Sequence, residues 1–365
     1  MASEDSGEQA SEELTLHTLL RAMMDYGASD LHITTGSPPQ LRIDGALSPL
    51  KTPPLNSRET KRLCFSLLTE AQQKRFERDR ELDFSFGVKN MARFRANFFV
   101  QRSAVAAAIR KLSFDIPGFD ELGLPETVKH LASRPAGLVL VTGPTGSGKS
   151  TTLAALIDMI NAHRRAHIIT IEDPIEYLHA HKKSIINQRE VRVDTDGFKD
   201  ALRYVLRQDP DVILIGEMRD LETMETALTL SETGHLVFAS LHTNSATNTI
   251  RRIINAFSPD SREPVRQQLS YVLLGVISQQ LLPRIGGGRV LASEYMVANT
   301  AIRRLIRDDK IHQIYSHIQV GQAKYGTQTM NQCLVELLGH ELITEEDAMS
   351  RSPDAEELER MLNLG

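Results

Sequence analysis

The residues that constrain this chain most are Gly143, Pro144, Thr145, Gly146, Ser147, Gly148, Lys149 and Ser150, which satisfy G-x-x-x-x-G-K-[ST], the pattern of a phosphate-binding loop. Glycines in such a loop let backbone N–H groups point inward at phosphate oxygens that side chains would obstruct. Lys149 is expected to reach the β- and γ-phosphates of ATP and the Ser150 hydroxyl to be a ligand of Mg²⁺, with Thr151 closing the segment. The flanks agree with this reading. Leu138–Val141 reads as a buried strand entering the loop, and Leu153, Leu156, Ile157 and Ile160 form the apolar stripe of a helix leaving it. That helix would aim its N-terminal dipole at the anion. Average residue usage gives a chance match in roughly one chain in a hundred of this length. The strand and helix around the loop argue further against a functionless glycine turn.

Three further segments follow the same grammar, a short apolar run ending in polar residues. Asp211–Glu217 has the form of a Walker B strand that delivers Glu217 to the carboxyl edge, where ligands of parallel α/β sheets bind. Glu217 would hold Mg²⁺ through water or polarise the attacking water, unless it only caps a helix starting near Asp220. Ile168–Ile171 is followed by Glu172, Asp173 and Glu176, a costly cluster unless a metal or a base compensates it; Glu176 is the expected general base. His235 and His242 stand at the two ends of Leu236–Leu241, and period-2 alternation turns them to opposite faces, so a shared metal is implausible. Each alone is more often structural, but beside a γ-phosphate one of them can sense charge. An L-S-G-G-Q signature and an N-K-x-D motif are both absent, which excludes ABC-class and GTPase readings.

Around these segments the chain of 365 residues suits two domains. Residues 1–12 hold almost nothing to bury and are expected to be a disordered tail. Residues 13–110 read as a smaller α+β domain. Its expected elements are a helix carrying Leu16, Leu19, Leu20, Met23 and Met24, strands at Asp30–Thr34 and Gln40–Ile43 with a turn at Asp44-Gly45, and a charged helix over Ser57–Arg80. Strands at Leu82–Phe86, Ala92–Gln101 and Val105–Arg110 complete it. Arg93, Arg95, Arg102 and Arg110 stud these strands; they are solvated side chains unless some reach a γ-phosphate across a subunit interface, a task that suits a planar guanidinium. A linker is expected over 111–123, and the α/β nucleotide-binding domain with a parallel-rich sheet over 124–365, all helical from about Thr300. The net charge of −5 argues against a nucleic-acid partner, and two distant cysteines against a disulfide framework. No run approaches the roughly 20 apolar residues of a membrane span, and no signal peptide is visible, so the protein is expected in the cytoplasm without direct membrane insertion.

Together the loop Gly143–Thr151, the acidic box Thr170–Glu176, the segment Asp211–Asp220 and the histidine box Gly234–Thr243 resemble the secretion-ATPase superfamily, and within it the type IV pilus retraction (twitching motility) ATPases. Ser29-Asp30-Leu31-His32 resembles the N-terminal signature of that family, and Ala301–Arg307 its segment associated with retraction. The resemblance implies a homohexameric ring of RecA-like domains, each preceded by a PAS-like domain that packs on its neighbour. Domain rotations driven by ATP turnover would remove pilin at an inner-membrane platform protein of the pilus base. It also implies Glu176 as the catalytic glutamate, Glu217 as the Walker B glutamate, His235 as the first histidine of its box, and Arg93, Arg95 or Arg110 as arginines acting in trans. Type II and type IV secretion motors share the boxes, and an accessory pilus ATPase with little turnover of its own is a further alternative.

Overall fold

The computed structural model describes residues 14–43, 45–89, 91–112 and 115–364. The expected tail at 1–12 lies outside them, as does Asp44 of the expected turn. The chain divides into two compact units, residues 1–114 and 115–365.

The first unit is built on a six-stranded antiparallel sheet in the order β3-β2-β1-β6-β5-β4. Its strands are β1 (Asp30–Ile33), β2 (Gln40–Ile43), β3 (Ala46–Pro49), β4 (Glu81–Val88), β5 (Ala92–Gln101) and β6 (Ala104–Leu112). Strict alternation in β5 turns Ala92, Phe94, Ala96 and Phe98 into the core and Arg93 and Arg95 outward. The core faces the helix Leu16–Asp25, whose Leu16, Leu19, Leu20 and Met23 are buried. The charged stretch expected as one helix is two, Ser57–Phe65 and Glu70–Asp79. The break has a local cause. Thr69 and Gln72 form a capping box that starts a new helix, and Leu68 just before it is buried.

The second unit has a seven-stranded sheet in the order β13-β12-β7-β11-β10-β8-β9. These strands are β7 (Gly137–Thr142), β8 (His167–Glu172), β9 (Ile185–Glu190), β10 (Val212–Ile215), β11 (Leu236–Leu241), β12 (Leu273–Pro283) and β13 (Arg289–Val297). All neighbouring pairs are parallel except β12 with β13. Every residue of β7, β10 and β11 is buried, as a sheet covered on both faces requires. Leu138 and Leu140 of β7 enter the core on one face, with Ile250, Leu269 and Ile306 from the later helices. Val139 and Val141 enter the core on the other, with Leu153, Leu156 and Ile157 of the helix Lys149–His163. From Thr300 the chain is helical apart from one bridge between Tyr295 and Gln328. Among the described residues no helix is long and apolar enough to cross a membrane.

Candidate functional site

Four parallel strands, β7, β8, β10 and β11, deliver the expected site segments to their carboxyl edge. β7 ends at Thr142 and the loop follows with Gly143, Gly146 and Gly148 at φ of 145°, 79° and 89°. Gly143 has no alternative. A Cβ there would lie 2.2 Å from the Gln279 carbonyl oxygen, in a backbone region closed to L side chains. β12 also laces the loop from the side, since Gln279 Nε2 donates to Ser147 O at 2.8 Å. The Lys149 ammonium donates to Gly143 O (2.9 Å) and Pro144 O (3.0 Å) at the mouth of the loop. Burial pulls its pKa down, against the opposing pull of the Glu217 and Glu176 carboxylates, and the net position is below the ordinary lysine range. Both acids therefore act on the same ammonium. Thr151 Oγ1 shares a hydrogen bond of 2.9 Å with Tyr177 OH, which ties the helix to the loop after β8.

Glu217 receives partners on both oxygens: Arg219 Nη2 stands 2.8 Å from Oε2 and His242 Nε2 stands 3.0 Å from Oε1. Burial pushes its carboxyl up, but Arg219, His242 and Lys149 outweigh burial and hold it below the usual carboxylate range. The helix Leu221–Glu232 is capped by Asp220, which accepts from Thr223 N at 2.8 Å, so Glu217 is free of capping duty. Met218 N donates to Ser240 O at 3.0 Å and Ser240 Oγ to Gly216 O at 2.5 Å, which fixes the exit from β10 against β11.

In the acidic box the three carboxylates have separate surroundings. Glu172 accepts from Thr170 Oγ1 (2.7 Å) and Gln188 Nε2 (3.1 Å), and burial together with the Glu176 charge pushes it up to about 7. Asp173 faces Arg192 at 3.5 Å. Glu176 is half-buried and acts on Lys149 across the loop.

His235 is not brought to this edge. It precedes β11, at the end opposite the loop, and its Nδ1 lies 3.0 Å from Leu230 O and 3.1 Å from Thr233 Oγ1. Six strand residues at about 3.3 Å each separate it from His242, so His242 is the histidine that reaches Glu217. The arginines of the first unit differ among themselves. Arg110 is paired with Asp30 at 2.8 Å and Arg93 Nη2 donates to Ser85 Oγ at 2.6 Å, whereas Arg95 is exposed. Arg102 occupies a turn at φ 46°. Sequence reasoning assigned no role to Gln279, Arg219 or Tyr177. The polar run Ser278-Gln279-Gln280 inside an otherwise apolar strand was the visible sign for the first of them.

The residues fit a nucleotide and its metal. The loop is a cradle that any Cβ at Gly143 would fill, and its lysine faces two acids, one kept ionised by a histidine and an arginine. A parallel sheet feeding such a loop, with acids presented from the neighbouring strands, defines a RecA-like P-loop nucleoside triphosphatase. More narrowly, the chain belongs to the family of type II/IV secretion system proteins, which it matches over residues 4–287. It is 49% identical to the type IV pilus retractation ATPase PilT of Pseudomonas aeruginosa over 334 residues, which cover 92% of this chain and 97% of that one. It is 47% identical to a twitching motility protein of Neisseria gonorrhoeae over 88% of this chain and 86% of that one. Among solved structures it superposes with a TM-score of 0.91 on the pilus retraction motor PilT with bound ADP, at 56% identity over 96% of this chain and all of that one.

Proposed function

We propose that this chain is an ATP-hydrolysing motor that retracts type IV pili. It works as a homohexameric ring at the cytoplasmic face of the inner membrane, against a platform protein of the pilus base. The observation that carries the chemistry is the convergence of Lys149, Glu217, His242 and Glu176 on one glycine cradle. The near end-to-end likeness to pilus-retraction relatives supports the assignment of direction.

Lys149 binds the β- and γ-phosphates, and backbone N–H groups of Gly143–Thr151 cradle them. Ser150 and Glu217 are the residues that would hold Mg²⁺, which when bound neutralises charge on the same phosphates. Glu172 is bonded to Thr170 and Gln188, which leaves Glu176 as the acid available to accept a proton from the attacking water. His242 and Arg219 keep Glu217 anionic and oriented.

Lys149→Ala should abolish hydrolysis and weaken ATP binding, while Glu176→Gln should bind nucleotide with a turnover lower by about 100-fold or more. Cells carrying either variant should extend pili and fail to retract them. A Glu176→Gln enzyme hydrolysing at the parent rate would return that residue to a structural role, and normal retraction in Lys149→Ala cells would end the motor assignment.

A further inference from the structure

A second concave site lies in the ATPase unit, away from every residue of the phosphate loop. It forms where the helix Ala246–Ala256 meets the helix Arg262–Val272 and the short turn Ile311–Gln313, and encloses about 300 Å³. Arg262 and Arg266, one helical turn apart, line it together with Arg251 and His312. Its single acid is Asp309, held in the left-handed region at φ 58°. Three guanidinium groups against one carboxylate leave the lining two charges positive. Arg262 Nε donates to Phe257 O at 3.3 Å, which fixes one of them in place.

Arg266 is the informative member. Its Nη1 stands 3.6 Å from Asp309 Oδ2, beyond a good hydrogen bond, and its Nε is buried with no hydrogen-bond partner. A native structure rarely leaves a buried charged donor unsatisfied, because burying it unpaired is costly. A cavity lined by three guanidinium groups and carrying an excess of two positive charges is complementary to a small dianion. Guanidinium groups match the geometry of phosphate oxygens by paired hydrogen bonds, and a volume of this order accommodates a phosphate or a phosphoester headgroup.

We propose that Arg251, Arg262 and Arg266 form a binding site for a phosphate-class anion, distinct from the nucleotide site. The anion comes either from a soluble phosphate or from a phospholipid headgroup. The full chain, with its loop saturated by ADP, would be titrated with inorganic phosphate by calorimetry. In parallel it would be sedimented with phosphatidylcholine vesicles with and without phosphatidylglycerol. Saturable phosphate binding with no vesicle preference identifies a soluble source; retention on the anionic vesicles alone identifies a headgroup. In either case Arg266→Gln should weaken binding about tenfold or more. Asp309→Asn, which removes the one opposing charge at a position asparagine tolerates, should tighten it about threefold. Arg251→Gln, at an exposed position, serves if Arg266→Gln fails to fold. Absence of binding in both arms overturns the proposal, and so does binding that none of the three substitutions alters.

Discussion

His242 and Arg219 grip Glu217 from its two oxygens, so that one carboxylate of the site stays ionised while Glu172, a few ångströms of sheet away, is pushed up to about 7 by burial. Removal of the histidine should therefore be felt in turnover. His242→Gln is expected to lower kcat about tenfold or more, whereas His235→Gln should leave kcat within about twofold and lower only the melting temperature. Equal losses in steady-state assays of the two variants would refute the geometric choice between them. That choice was open to sequence reasoning. The rule that placed Glu217 at the carboxyl edge of β10 also places His242, and not His235, at the carboxyl edge of β11. The buried Glu294 accepts from Ala246 N at 2.7 Å and is also pushed up to about 7 by burial. Folded Glu294 keeps its proton to about pH 7, while an unfolded glutamate releases it near 4.5. Its contribution to stability is thus complete below about 4.5 and is lost as the pH rises through 7. Glu294→Gln retains the acceptor for Ala246, so it should flatten this decline and stabilise the protein at about pH 8 by roughly 1–3 kcal/mol. Denaturant titrations at two pH values would show it, and an unchanged pH slope would exclude the effect.

At the scale of elements, the strands with unbroken apolar runs were legible because burial on both faces leaves no room for polar residues. β9 and β12 were not. Ile185–Glu190 carries only two apolar residues and pairs at the sheet margin, and the middle of β12 is Ser278-Gln279-Gln280, whose polarity serves the phosphate loop. In the helix Thr300–Arg307, Ile302, Leu305 and Ile306 are buried and Arg303 is half-buried. It donates to Ala298 O and Ser270 O at 2.8 and 2.7 Å and also to Tyr271 O, so it pins this helix to the preceding one. Leu305→Ala should accordingly cost about 2–4 kcal/mol in denaturant titrations. Arg304 and Arg307 are exposed and test whether the segment Ala301–Arg307 serves retraction beyond its packing. Arg304→Ala with Arg307→Ala should change stability by less than about 0.5 kcal/mol and leave ATP hydrolysis intact. If retraction persists in such cells, the outer face of this helix does not transmit force.

For the whole molecule, a ring whose sites are completed by neighbours should show specific ATPase activity that rises with protein concentration before it levels off. Of the four arginines of the first unit, Arg110 and Arg93 are engaged by Asp30 and Ser85, whereas Arg95 and Arg102 are exposed; a role in trans is tested at Arg95. Arg95→Ala should lower kcat about tenfold or more without changing the melting temperature. Constant specific activity together with monomer-only sedimentation in ATP would contradict the ring. The order of strands in the second sheet also bears on how the protein is made. β7 lies between β11 and β12, and the side-chain lace on its loop comes from Gln279, about 130 residues after the loop itself. At roughly 5–20 residues per second, a ribosome needs some 7–25 s to travel from Thr151 to the end of β12. Until β11 is made the nascent β7 has both edges open, and until β12 is made one edge stays open and the nucleotide loop lacks its lateral support, so chaperone engagement should concentrate on chains paused between those two points.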